Sequence, residues 1–421
     1  MNSPWGVTPA LYGAPTEFSR SGRRGPMHID ADLLVAACAD DSDAGGVVIS
    51  TDIEPLGGPG SPVKPAVYAG GRFQLDERWV GEGADRAVAQ VVVIDNVPSQ
   101  ANRLEAALER LAPDLGLPTV VLDLSEVGPL PPHLPAKLTS FRFPHRQADA
   151  YLRDSALDGK PFAKTEIGAT ILGATADNPH ALFQWFPQAL LLGFWQSHLG
   201  KKGSQAKLAR SWVSEIVGVR PGSVDTRTLG LKGDPLNLSI DEKVSYDPDF
   251  PMEWTFVAGE KKSGGSKKQE SLSEIGHGQI PFRTGQEALA GVSCESIDQR
   301  TTLSLPGLRR VWCGSTEMNA TGRALLAAIG LAGHAAAFGR PFSLRSGCDL
   351  RPVSQRWKWL SDHDHDIEPI TVDDAIDLVQ ECARRAEAAG LPVGSAWHQE
   401  LVLQPSAELA KVIKATYPAG D

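Results

Sequence analysis

The run A-Q-V-V-V-I at Ala89–Ile94 constrains this chain more than any other stretch. Side chains branched at Cβ crowd a helix and suit a pleated strand, and an unbroken apolar run requires cover on both faces. The spacing predicts a buried strand, broken by Asp95–Pro98. Ser99 is then placed to cap a helix whose Leu104, Leu108 and Leu111 recur at i, i+4 and i+7. Pro118–Leu124, P-T-V-V-L-D-L, reads as the next strand. This β-loop-α-β order suggests a layered α/β core.

The rest of the chain is compatible with such a core. Hydrophobic residues make up 42% and charged residues 22%, which is globular rather than disordered. A length of 421 residues allows two or three domains, or one with large insertions. The 42 glycines and 31 prolines predict long loops. The five cysteines are scattered and never in C-x-x-C spacing, so neither a disulfide framework nor a structural zinc site is expected. Residues 1–26 lack periodicity and read as a flexible arm, with residues 27–421 as the folded body. Arg20, Arg23 and Arg24 are followed by no apolar stretch, so no signal peptide is expected. The longest apolar run, Ala324–Phe338, falls short of the about 18 residues a bilayer span needs, and His334 interrupts it. The expectation is a cytoplasmic protein with no membrane partner.

Further elements follow from local signals. Ile29–Cys38 begins the regular structure and Gly57–Gly60, G-G-P-G, is a loop. Pro144–Arg153 reads as helical. Asp177-Asn178-Pro179 starts another helix that Pro187 ends, and Ala189–Trp195 reads as a buried strand. Lys207–Val217 reads as a helix, because Leu208, Trp212 and Ile216 recur at spacing four. Residues 260–270, E-K-K-S-G-G-S-K-K-Q-E, read as a mobile basic loop. Thr301–Leu308 is strand-like and Arg323–Phe338 an Ala-rich helix. Thr371 with Asp374 caps a helix stopped by Gly390, and Ser406–Ala415 is a last helix with Leu409, Val412 and Ile413 inward.

The familiar catalytic motifs G-x-S-x-G, H-E-x-x-H and G-x-x-x-x-G-K-[ST] are missing. Neither a catalytic group nor a cofactor is predicted. Ser361–Asp366, S-D-H-D-H-D, alternates imidazole and carboxylate. Consecutive residues rarely converge on one ion, so the favoured reading is a solvated loop without metal. The alternative is a metal-dependent ribonuclease using Asp362, His363, Asp364 and His365, with His277.

Three segments concentrate polar chemistry. Asp95–Arg103, D-N-V-P-S-Q-A-N-R, opens a helix, and helix N-termini favour phosphate. Asn96, Ser99, Gln100, Asn102 and Arg103 are candidates to grip a sugar-phosphate chain; otherwise Ser99 or Asn96 is only a cap. His198–Arg210, H-L-G-K-K-G-S-Q-A-K-L-A-R, brings Lys201, Lys202, Lys207 and Arg210 into an acidic protein of net charge −10. Local positive charge of this kind suits counterion-releasing phosphate contact; otherwise it is a solvated face. Arg142, His145, Arg146 and Arg153 form a third group, or else pair with Asp149 and Asp154. Phe141, Phe143 and Trp195 are near enough in sequence to stack on bases, with core packing the favoured use of Trp195.

These strings occur together in one known family. Val91–Leu108, V-V-V-I-D-N-V-P-S-Q-A-N-R-L-E-A-A-L, resembles a signature of the RAMP-type "Cas-seven" backbone subunit of the CRISPR type I-G (formerly I-U) Cascade complex. Leu56–Gly60, Lys64–Tyr68, Leu138–Asp158, Ala189–Gly218, Ser273–Pro281, Gln299–Arg310 and Leu344–Leu350 are similar to further segments, in order. Asn96 stands where the family often has serine. The resemblance implies an α+β fold, a modified RRM-like (ferredoxin-like) palm with large insertions forming fingers and a thumb. It also implies a non-catalytic subunit that binds guide RNA (crRNA) and polymerises with further copies of itself. Such a filament presents the guide to target DNA beside a repeat-processing or capping subunit and a large subunit, and cleavage falls to a recruited helicase-nuclease.

Overall fold

Alternation along Gly46–Pro55 sets the main sheet. Val47, Ile49, Thr51 and Ile53 are buried on one face, and Val48, Ser50, Asp52 and Glu54 lie half-buried on the other. A computed structural model of the protein describes residues 27–81, 83–128, 130–197, 206–222, 236, 238, 243–247, 250–257, 268–275, 290–394 and 397–417. Among them, eight strands build this sheet: β1 (Gly46–Pro55), β2 (Leu75–Val80), β3 (Ala87–Asp95), β4 (Trp212–Pro221), β5 (Cys294–Ser304), β6 (Phe342–Arg345), β7 (Cys348–Leu360) and β8 (His365–Ile367). The order is β6-β7-β1-β5-β4-β3-β2, with β8 also on β7, and each pairing is antiparallel.

Three helices complete the frame: α1 (Val97–Leu115), α2 (Thr316–Phe338) and α3 (Val372–Ala388). The chain order β1–α1–β4–β5–α2–β7 with spatial order β7-β1-β5-β4 is the βαββαβ pattern of a ferredoxin-like palm. The fold is therefore α+β. Thr119–Asp123 is a strand, as its sequence predicts, but it lies in a second sheet, parallel to Glu400–Pro405. The β-loop-α-β segment is thus not a crossover within one sheet. A large insertion between β4 and β5 carries a three-stranded sheet of Phe250–Val257, Lys243–Asp247 and Lys268–Ser271.

The helices cover the face that carries Val47 and Ile49. α1 and α2 approach closely because Gly333 has no side chain: a Cβ there would sit 2.8 Å from Leu104 Cδ1. α2 has 23 residues, longer than its apolar core suggests, and is long and apolar enough to cross a membrane by composition alone; 89% of its most apolar window is buried in the fold. Among the described residues the buried apolar side chains form two clusters. Register places Ile49 and Leu303 in the larger and Ile53 and Ile297 in the smaller, with Thr51, Gln299 and Thr301 between them.

Several sequence expectations are corrected. Lys207–Val217 is not a helix: Ala206–Leu208 is a short strand and Trp212 begins β4. A spacing of four is also two strand periods, and Trp212, Ser214 and Ile216 are buried in alternation. Ala189–Trp195 is a helix end, from Pro187–Leu192, followed by a strand at Phe194–Gln196. The helix His180–Trp185, capped by Pro179, does stop before Pro187 as expected, and Pro187 in turn opens the next helix. Pro144–Arg153 breaks into a 3₁₀ turn, Arg146–Ala148, and one α-turn, Ala150–Arg153, because Asp149 is extended between them. β5 ends at Ser304, which caps the turn Leu305–Leu308. Of the basic loop 260–270, Lys268–Glu270 belongs to a strand and the rest lies outside the described residues, as do residues 1–26. The helix Ala407–Thr416 fully buries none of its residues: Leu409 packs half-buried against the core and Ile413 is half-buried, but Val412 is 61% exposed.

Candidate nucleic-acid interface

Asp95 ends β3 in a site with no solvent exposure. An ionised carboxylate there requires donors, and α1 supplies them. Ser99 Oγ donates at 2.9 Å, Gln100 Nε2 at 2.6 Å and Arg103 Nε at 2.9 Å, while Arg345 approaches from β6 at 2.5 Å. Gln100 Oε1 accepts from Ser214 Oγ at 3.0 Å and Gln299 Nε2 at 2.9 Å. Arg103 also donates to the Leu344 carbonyl, and Arg345 to those of Ile94 and Lys64. The side chains of Ser99, Gln100 and Arg103 are thus turned inward on Asp95. The cap of α1 is Asn96, not Ser99: its side chain accepts from the Ser99 backbone N–H at 3.1 Å. Asn102 is exposed.

One turn further along α1, Glu105 meets Arg146 in a buried fork. Arg146 Nε and Nη2 each donate to a carboxylate oxygen at 2.8 Å, and Nη1 donates to the Gly193 carbonyl at 2.9 Å. Burial pushes the Glu105 carboxyl up, while Arg146 pulls it down. Arg210 is half-buried nearby, and burial, then repulsion from Arg146, weakens its hold on its proton. Its Nε is buried without a hydrogen-bond partner among the described residues. Among these residues Arg146 alone is hydrogen-bonded to Glu105; Arg210 feels that carboxylate only through space. Arg142 and Arg153 are drawn into surface pairs, with Glu109 at 2.9 Å and Asp154 at 2.7 Å. His145 is exposed.

Gly193 leads into a two-stranded hairpin of Phe194–Gln196 and Ala206–Leu208. Its φ is +76°, and a Cβ would lie 2.5 Å from the Leu208 carbonyl oxygen, so the turn needs glycine. Phe194 and Leu208 face the core, and between them Trp195 and Lys207 face out, directly opposite each other. Trp195 is 59% exposed, which corrects its assignment to the core, and Lys207 Nζ lies 5.7 Å from its ring centroid. Lys207 belongs to the strand Ala206–Leu208, and Arg210 lies in the short link that leads from it to β4. Phe141 and Phe143, by contrast, are core residues. Lys201 and Lys202 lie outside the described residues.

Arg310 is an exposed cation that sequence reasoning missed; it donates to the Ala209 carbonyl at 3.3 Å, beside Arg210. A cavity of about 430 Å³ is lined by Asn102, Arg110 and Arg142 on the outer side of α1. The sheet face away from the helices carries Arg300, Arg356 and Lys358, for which strand alternation was the available signal. Among the described residues no three His, Cys, Asp or Glu side chains gather as metal ligands. Asp362, His363, Asp364 and His365 lie exposed along the approach to β8 and its first residue, and His277 lies outside the described residues.

Residues 47–221 match a family model described as CRISPR-associated protein GSU0053. The match runs from β1 to the end of β4 and contains Asp95, Glu105, Arg146 and the Trp195 hairpin. It supports a CRISPR-associated protein. A search of curated proteins finds no match to the chain.

Proposed function

We propose that this chain is the crRNA-binding backbone subunit of a CRISPR type I-G Cascade complex in antiviral defence. Copies stack head to tail along the guide RNA in the cytoplasm and leave base edges open to target DNA. The subunit supplies no catalytic group and holds no cofactor; cleavage falls to a recruited helicase-nuclease, and other Cascade subunits cap the filament. The observation that carries this reading is the group of cations around the Trp195 hairpin. Lys207, Arg210 and Arg310 have no carboxylate ion-pair partner among the described residues, in a chain of net charge −10. Such a group is retained where phosphate supplies the counter-charge. The ferredoxin-like palm, an RNA-binding architecture elsewhere, is consistent with this role.

Co-expression with the neighbouring genes tests the reading. Small RNA of uniform length is expected to elute with the protein. A complex that assembles free of RNA would sink the proposal.

A further inference from the structure

Single exposed aromatic side chains need no special account. Trp195 differs because its surroundings are built. The hairpin that presents it is held at its base by Arg146 Nη1 on the Gly193 carbonyl, and just past its second strand by Arg310 on the Ala209 carbonyl. Phe194 and Leu208 fasten it to the core from the opposite face. With Lys207 over one side of the indole, 59% of the residue stays open to solvent. An aromatic plane flanked by cations that have no carboxylate ion-pair partner among the described residues suits a base and its phosphates at once.

We propose that Trp195 is a stacking platform for one unpaired nucleobase of single-stranded RNA, with Lys207, Arg210 and Arg310 holding the adjoining phosphates. This rests on the RNA-binding reading above and adds the residue that touches a base. Every base has a π-face, so the contact is tolerant of sequence.

The test uses the full chain and two labelled probes in anisotropy titrations at low salt: a short oligoadenosine, and an abasic ribose-phosphate chain of equal length. Trp195→Ala is expected to weaken oligoadenosine binding roughly 5- to 150-fold and to leave the abasic chain unchanged. Trp195→Phe retains most of the preference for the base-carrying probe. Arg310→Ala weakens both probes alike. Equal loss on both probes for Trp195→Ala, or no loss on either while the unaltered protein binds, overturns the platform. Unchanged binding in Arg310→Ala overturns its phosphate contact. If the unaltered protein binds neither probe, the RNA-binding reading itself fails.

Discussion

Asp52 and Asp298 stand directly opposite each other across the β1–β5 ladder, on the sheet face away from the helices. Burial, and the Asp52 charge beside it, raise the Asp298 carboxyl above its ordinary value, although Ser296 donates to it at 3.3 Å. Like charges so placed destabilise a sheet.

A group raised in this direction binds its proton more tightly in the folded state. Stability is therefore full below the ordinary carboxylate value and declines as pH rises through the folded one. Asp298→Asn is expected to stabilise the protein by up to about 1 kcal/mol at pH near 7 and by much less near pH 3, read from urea midpoints. Equal effects at both pH values would contradict this.

The Glu105–Arg146 fork gives the opposite behaviour on truncation. Arg146→Ala leaves a buried carboxylate unpaired and is expected to cost about 3–5 kcal/mol. Replacing both partners by apolar residues, Glu105→Leu with Arg146→Met, should restore most of that stability, because the desolvated charge is gone. A double variant as unstable as the single one would mean that the Gly193 hydrogen bond, not charge burial, dominates.

His334 sits on α2 among the rings of Phe338, Trp357 and Trp212 at 5.5, 5.6 and 6.4 Å, and among the described residues neither ring nitrogen has a hydrogen-bond partner. Burial pushes its pKa down to about 3. The unfolded chain takes up a proton near pH 6.5 that the folded protein refuses, so stability is full above that value and falls toward pH 3. The slope contributed is up to about 1.4 kcal/mol per pH unit. His334→Phe should flatten this part of the stability profile; an unchanged slope would place its origin elsewhere.

What the sequence made legible follows from which signals are local. The strand Ala87–Asp95 and helix α1 are readable because a β-branched run and a 3.6-residue period are unambiguous over their length. Leu208, Trp212 and Ile216 mislead because four residues satisfy both a helix face and a strand face, and only the partner strands decide: Phe194 beside Leu208, and β5 and β3 beside Trp212 and Ile216. The site divides in the same way. Lys207 and Arg210 are visible as local charge. Ser99, Gln100 and Arg103 turn inward on Asp95, which is near in sequence, but the burial of Asp95 and its fourth donor, Arg345, 250 residues away, lie outside any local window. Trp195 reads as core because its neighbours are apolar, and period two across a hairpin puts it outside.

Arg103 neutralises Asp95, so Arg103→Ala is expected to lower stability by about 1.5–3 kcal/mol, the worth of a charged hydrogen bond. It should leave the salt dependence of RNA affinity unchanged, because its guanidinium is engaged internally. Lys207→Gln with Arg210→Gln should do the reverse: little change in stability, a uniform drop in affinity across RNA sequences, and a salt slope shallower by about 0.7 for each phosphate no longer neutralised. The two variants measured side by side, by denaturation and by salt titration, separate the Asp95 cluster from the RNA-facing one. If Arg103→Ala lowers the salt slope instead, Arg103 reaches phosphate, and the surface of the proposed interface extends onto α1.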